Sequence, residues 1–464
     1  MAAKEARVTG NVTADDIATR IDRIPFVPFH LRVASILGAG TLFDAFDSLS
    51  MGAALTMIAV SFKLDYKSSG ALISAAFAGQ FVGAIAFGYV GERIGRKWTF
   101  IIALTIFGAC SLGAAMAQSV DQIIVARVIQ GIGLGAEVPI AIALFSEFVR
   151  GSARGLFLLV YESLFTWGIV LGPVVGLLCL ALVGPELGWR LLFSIGGIPL
   201  IFALIAVFKL PESARWLASK GRLEEADAIV SEMEAQASAK GRALLPTRPL
   251  RVAAAKTSFT ELFKGIYARR TFVVWTHWFC SYFVSNGFQS WAATLYMKIG
   301  GLPARYALML TIFTSGLQLC GSYTLALTVD RLGRVPWFAG SFLVVCGGAL
   351  LGATLTGPFA IRGWEPLLLC GTIMTVGNIN GLGVYVYTPE LYPTRMRAWA
   401  TAMGSSFNRL GSFIAPSVVG FLLAEYGNIS IVFVLFAGVA LFGATVMATL
   451  GEETKRRTLE ELSP

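Results

Sequence analysis

Asp44 and Asp47 stand three residues apart inside one apolar run, and Arg127 and Arg409 stand inside two others. A charge among hydrocarbon side chains demands a partner or a water-filled cavity. The spacing of three puts the two aspartates on neighbouring parts of one helix face. Counted from Val33 at 1.5 Å per residue, Asp44 falls roughly 16 Å and Asp47 roughly 21 Å along its helix. Arg127, on a helix running the other way, reaches about 21 Å on the same scale in a roughly 30 Å layer. An aspartate held there beside a guanidinium feels two opposed influences, because desolvation favours the neutral acid and the cation favours the carboxylate. Separating Asp47 from Arg127 lets the carboxylate take a proton and reunion expels it, which is the chemistry of proton coupling; Asp47→Asn is then expected to uncouple. A static bridge between two helices is the other reading, and Asp44 is the other group able to titrate.

Arg409 lies roughly 16 Å deep in Ser405-Ser406-Phe407-Asn408-Arg409-Leu410-Gly411, with no acidic residue in the neighbouring turns. Arginine does not readily shed its proton. Either an anion visits it, a planar carboxylate matching its paired N–H groups best, or it pairs with Asp44, Glu137 or Glu162 from another helix. Asn408 beside it and the amides Gln80, Asn286, Gln318, Asn378 and Asn380 need partners when buried, in a substrate or in other helices. Phe43, Trp167 and Tyr282 sit at a depth where they could line a cavity, with Trp291 and Tyr385 nearer the ends of their spans; packing is the competing role for each. The chain has 2 histidines, His30 and His277, and 6 cysteines at no metal-ligand or redox spacing. With no phosphate-cradling Gly-Lys-Ser/Thr loop either, neither catalysis, a bound metal nor a cofactor is expected.

These charges are positioned by helices in lipid. A chain of 464 residues that is 56% hydrophobic and 14% charged cannot present an ordinary polar surface to water. Apolar stretches of spanning length occur near 33–60, 69–90, 99–118, 122–146, 156–182 and 190–209, then near 271–296, 305–328, 336–356, 366–388, 398–424 and 428–450. Each must be helical, because unpaired backbone groups are prohibitively costly in hydrocarbon. The expected fold is an all-α membrane protein of twelve transmembrane helices in two six-helix bundles, 31–209 and 271–451. A cytoplasmic tail (1–30), a helical linker (210–270) and a second tail (452–464) complete it. Residues 1–30 show no apolar core ahead of a cleavage site, so the first helix is expected to serve as the insertion signal. Only Lys63, Lys67, Arg190, Lys298, Arg305 and Arg362 fall in the loops opposite the N-terminus, which places both termini in the cytoplasm. That asymmetry accounts for the net charge of +9 without nucleic acid as a partner.

Three loops repeat. Glu92-Arg93-Ile94-Gly95-Arg96 returns as Asp330-Arg331-Leu332-Gly333-Arg334, Glu147 with Arg154 returns as Glu390 with Arg397, and Glu212 returns as Glu453. The shift is about 240 residues each time, the mark of a duplicated half.

With Gly88-Tyr89-Val90-Gly91 preceding the first block, the chain resembles the major facilitator superfamily over essentially its whole length. Glu92 stands where aspartate is usual, and Ala326 where the leading glycine of the second copy would fall. Arg127-x-x-Gln130-Gly131-x-Gly133, Pro211-Glu212-Ser213 and Pro389-Glu390-Leu391-Tyr392-Pro393 are similar to sugar-porter branches. Asp44-Ala45-Phe46-Asp47, Gly135-Ala136-Glu137-Val138-Pro139 and Arg409-Leu410-Gly411 look more like aromatic-acid:proton symporters and their niacin-transporter and synaptic-vesicle-protein-like relatives. Gly168-x-x-x-Gly172-Pro173 resembles a feature of antiporters, leaving exchange open.

The resemblance implies two bundles rocking about a midplane site in the plasma (inner) membrane. Glu92, Arg93, Glu147, Arg154, Glu212, Asp330, Arg331, Glu390, Arg397 and Glu453 would form a cytoplasmic gate, paired when the cavity opens outward. The expected function is proton-coupled uptake of a small aromatic or heteroaromatic monocarboxylate, such as nicotinate or a benzoate, by a functional monomer. A sugar or polyol symporter and an organic-cation exchanger are the alternatives, and a non-transporting sensor is the reading from another class.

Overall fold

The computed structural model describes residues 13–150, 154–246, 259–378 and 380–455. The first half comprises α1 (Ala14–Arg23), α2 (Pro28–Phe62), α3 (Tyr66–Ile94), α4 (Arg96–Met116), α5 (Val120–Phe148), α6 (Arg154–Ile195) and α7 (Pro199–Lys209). Between the halves run α8 (Ala214–Ser219) and α9 (Leu223–Ala239). The second half holds α10 (Gly265–Lys298), α11 (Ala304–Leu332), α12 (Arg334–Thr356), α13 (Glu365–Gly377), α14 (Asn380–Glu390), α15 (Thr394–Tyr426) and α16 (Ile429–Leu450).

Nine helical stretches among the described residues are long and apolar enough to cross a membrane. The difference from twelve has local causes. The stretch Ser163–Lys209 covers two expected spans, because α6 is two helices that meet without an intervening loop at a kink at Gly184, whose non-helical φ of 73° only glycine adopts freely. The expected seventh span, α10, carries His277, Ser281, Asn286 and Gln289 in its middle and is too polar to register as apolar. The expected tenth is broken between α13 and α14 after Asn378. The helix α1 occupies part of the N-terminal tail, its Ile17 and Ile21 buried and its Arg20 bonded to Glu234 of α9.

The duplication is visible as paired turns. Gly95, between α3 and α4, has φ +97°, and Gly333, between α11 and α12, has φ +100°. The Glu212 carboxylate accepts from the backbone N–H of Arg96 (3.0 Å) and Lys97 (3.1 Å). Glu453 accepts likewise from Arg334 (2.9 Å) and Val335 (3.1 Å). In both halves a carboxylate from a distant loop thus satisfies the orphan donors of a helix N-terminus and meets its positive dipole. Burial pushes the Glu212 carboxyl above the ordinary glutamate range, against the pull of the donating N–H groups. A Cβ at Gly95 would lie 2.1 Å from Glu212 Oε2. Gly95→Ala, strained by both φ and this clash, is expected to destabilise the protein by about 1–3 kcal/mol, read as a lower thermal midpoint in detergent.

Glycines also set the helix seams. A Cβ at Gly131 of α5 would sit 2.0 Å from Ala76 O of α3, and one at Gly135 2.1 Å from Gln80 O. Small residues let backbones approach this closely where lipid gives no hydrophobic drive. The seam fixes α5 so that Arg127, one turn before Gly131, meets α2.

The two halves meet most closely at the end away from the charged loops. A Cβ at Gly70 of α3 would lie 2.7 Å from Pro416 O of α15, and Ser417 Oγ donates to Ser74 Oγ at 2.8 Å. Lys298 Nζ donates to Leu64 O at 2.8 Å. At the charged-loop end the ion pairs Arg96–Glu92, Arg96–Glu147 and Arg334–Glu390 each stay within one half.

Candidate functional site

A cavity of about 100 Å³ lies between the halves. One water takes roughly 10–15 Å³ on this measure, so the space suits a single ring-sized solute. Its lining includes Asp44, Gln80, Tyr282, Asn286, Gln318, Asn378, Asn408 and Arg409. Sequence reasoning singled out all eight.

The Asp47–Arg127 pair sits behind the wall, each side chain 2% exposed. Arg127 Nη1 donates to both carboxylate oxygens of Asp47 at 2.7 Å and to Gln130 Oε1 at 2.8 Å. Gln130 Nε2 closes the ring by donating to Asp47 Oδ1 at 2.9 Å. Gln130 is one helical turn beyond Arg127, so α5 presents cation and amide together to α2. The network ties α5 to α2 while remaining out of the cavity, whereas Asp44 lines it.

Arg409 is 8% exposed and bridges the halves. Its Nη1 donates to Ser405 O (3.1 Å) and Ser405 Oγ (3.2 Å), and its Nη2 to Gly135 O (3.2 Å). All of these acceptors are neutral, and among the described residues Nε is buried with no partner. Among the described residues no carboxylate makes an ion pair with it, although Asp44, Tyr282 and Tyr385 are close enough to act on its charge. Glu137, offered as a counter-ion, is fully buried elsewhere, accepting from Thr41 Oγ1 at 3.3 Å and pressing on Gly40. Glu162 lies outside the described side chains.

Two aromatic residues expected near the substrate lie away from the cavity. Phe43 packs edge-on against Phe46 and near Phe202. Trp167 is 49% exposed on the outside of α6, because Gly168 takes the face turned to α2. Polar contacts within the wall are Gln289 Nε2 to Gln318 Oε1 (2.8 Å), Asn286 Nδ2 to Ser412 Oγ (2.7 Å) and Tyr282 Oη to Gly381 O (3.2 Å).

The sequence matches the family model described as "Sugar (and other) transporter" over residues 33–464. The chain belongs to the sugar (and other) transporter family. It is 33% identical over 452 residues to the niacin transporter NiaP of Acinetobacter baylyi, covering 96% of this chain and 99% of that one. It is 27% identical over 462 residues to the 4-hydroxybenzoate transporter PcaK of the same organism, covering 94% and 98%. The solved structure of a D-xylose-proton symporter aligns with a TM-score of 0.72 at 18% identity, over 92% of this chain and 98% of that one. The major facilitator fold is therefore shared. As a member of the sugar (and other) transporter family the chain is an integral membrane transporter of a small molecule and not an enzyme.

Within this family member the charged-loop residues have specific partners. Glu92 and Glu147 bond Arg96, Glu390 bonds Arg334, and Arg397 Nη2 donates to Tyr392 O at 3.4 Å. Arg93 lies over the Tyr89 ring at 4.2 Å, and the Arg331 carbonyl accepts from Lys455. The side chains of Arg154 and Asp330 lie outside the described residues. Sequence reasoning missed Arg96 and Arg334 as the hubs, although both stand in the repeated block. It also missed the lining residues Ser48, Thr166, Ser281, Ser285 and Gln289, small or neutral groups that no pattern sets apart.

Proposed function

We propose that the chain is a proton-coupled importer of a small aromatic or heteroaromatic monocarboxylate, working as a monomer by alternating access in the plasma (inner) membrane with both termini cytoplasmic. The observation that carries this reading is Arg409: a buried guanidinium on a ring-sized cavity, bonded among the described residues only by neutral acceptors and with Nε unused. Leaving a buried cation without a directly bonded carboxylate is costly, and a visiting carboxylate relieves that cost with paired charge-assisted hydrogen bonds. Phe77, Phe165, Tyr282 and Tyr385 supply ring surface on the same wall.

Proton coupling follows from Asp44 and Arg409 sharing the cavity. A deprotonated Asp44 competes with a substrate anion for the field of Arg409, and a protonated one does not. Proton and anion therefore each favour binding of the other, a reciprocal coupling. Opening the cavity on the other side would rock the halves apart where Gly70 and Gly420 now meet, and would bring the charged loops together. The cytoplasmic location of those loops rests on the distribution of Lys and Arg. Glu137, bonded to Thr41 and absent from the cavity lining, gives the organic-cation reading no support.

The test is uptake by purified protein in liposomes of radiolabelled nicotinate, benzoate and glucose, with and without an inward proton gradient. One acid is expected to accumulate only with the gradient. Glucose uptake with neither acid transported would replace this reading with the sugar branch.

A further inference from the structure

The cavity wall carries a second polar feature that the carboxylate contact leaves unused. Asn378, 6% exposed, closes α13 where the helix breaks, and Ser281, fully buried, lies on α10. Asn378 Nδ2 donates to the Ser281 backbone carbonyl at 3.0 Å. That contact fixes the amide, because the flipped rotamer would set one acceptor against another. Among the described residues Asn378 Oδ1 is left buried with no partner, and so is Ser281 Oγ. Both residues line the same cavity as Arg409. Buried amide and hydroxyl oxygens are rarely left unmatched, since each lost hydrogen bond in a dry site is costly.

We infer that Asn378 and Ser281 form a donor-reading subsite, selecting aromatic acids that carry a hydroxyl or amino group on the ring. An amide oxygen only accepts, and the serine hydroxyl both donates and accepts. A ring hydroxyl matches the pair by donating to Asn378 Oδ1 and accepting from Ser281 Oγ. An amino group donates to Asn378 in the same way. A ring with hydrogen, fluorine or methyl at that position leaves Asn378 Oδ1 unsatisfied. A site built to hydrogen-bond a substrate rejects the analogue that lacks the group more strongly than a purely apolar pocket does. The inference rests on the carboxylate reading of Arg409 and adds the substituent that the rest of the cavity reads.

The experiment compares equilibrium binding of 3- and 4-hydroxybenzoate with the matching fluorobenzoates and with benzoate, to the wild-type protein in detergent and to Asn378→Leu, Ser281→Ala and Arg409→Gln. In the wild type one hydroxy acid is expected to bind about tenfold or more tightly than its fluoro counterpart. That ratio should fall toward one in Asn378→Leu and in Ser281→Ala. Ser281→Ala removes a single hydroxyl and remains readable if Asn378→Leu fails to fold. Equal affinity for hydroxy and fluoro acids, with binding still dependent on Arg409, overturns the subsite and leaves the carboxylate site standing. A preference that survives both substitutions also overturns it. Binding of none of the acids removes both readings.

Discussion

Arg409→Gln is expected to weaken binding of an aromatic monocarboxylate by roughly a hundredfold or more. Breaking one side of a buried, hydrogen-bonded charge pair costs about 3–5 kcal/mol, and each 1.4 kcal/mol is about tenfold in Kd. Arg409→Lys should fall between wild type and Gln, since an ammonium keeps the charge but loses the planar fork. The substrate-free protein gives an independent readout. Arg409 is almost fully buried, with Ser405 and Gly135 oxygens as its acceptors among the described residues, so removing its charge should leave the thermal midpoint unchanged or raised. A residue kept for binding is expected to trade stability for function in this way. Unchanged affinity in Arg409→Gln, together with a lower midpoint, would make Arg409 a structural link between α15 and α5.

The features most legible in the sequence were those that lipid makes expensive. Asp44, Asp47, Arg127 and Arg409 stood out because so few charges enter the apolar runs, and helix rise alone put Asp47 level with Arg127. The repeat of Glu92-Arg93 and Glu212 in the second half likewise showed two equivalent bundles. What stayed hidden was helix rotation. Phe43 and Trp167 have suitable depth, but depth does not tell which face turns inward, and Gly168 rather than Trp167 took the face toward α2. The span over 271–296 was legible in the sequence, but α10 is polar for a spanning helix, because its amides and hydroxyls line the cavity. The break at Asn378 interrupts the expected tenth span for a related reason, since it places an amide at the cavity wall. Ser281 could not be found at all, because a serine in a helix is ordinary until its hydroxyl proves to be buried without a partner.

Asp44→Asn and Asp47→Asn are expected to fail in different ways, and the difference assigns their roles. In the wild type, raising pH through the titration of Asp44 restores a carboxylate that competes for Arg409. Affinity for the acid anion should then fall, by up to about tenfold per pH unit for one coupled proton. Asn at position 44 stands in for the permanently neutral acid. Binding should persist and become independent of pH over the same range, while uptake in liposomes reaches the external concentration and stops there. Asp47 is in another situation. Its carboxylate is held by Arg127 Nη1 and Gln130 Nε2 out of contact with the cavity. Asp47→Asn strands a buried guanidinium and should cost about 3–5 kcal/mol of stability, with Arg127→Gln in the same chain restoring much of it. Both variants should lose gradient-driven accumulation if the Asp47–Arg127 bridge opens during the cycle. Only Asp44→Asn should flatten the pH dependence of binding. A flat profile in Asp47→Asn with a normal one in Asp44→Asn would move the substrate-linked proton to the buried bridge, and the separation of α2 from α5 would then be the coupling step.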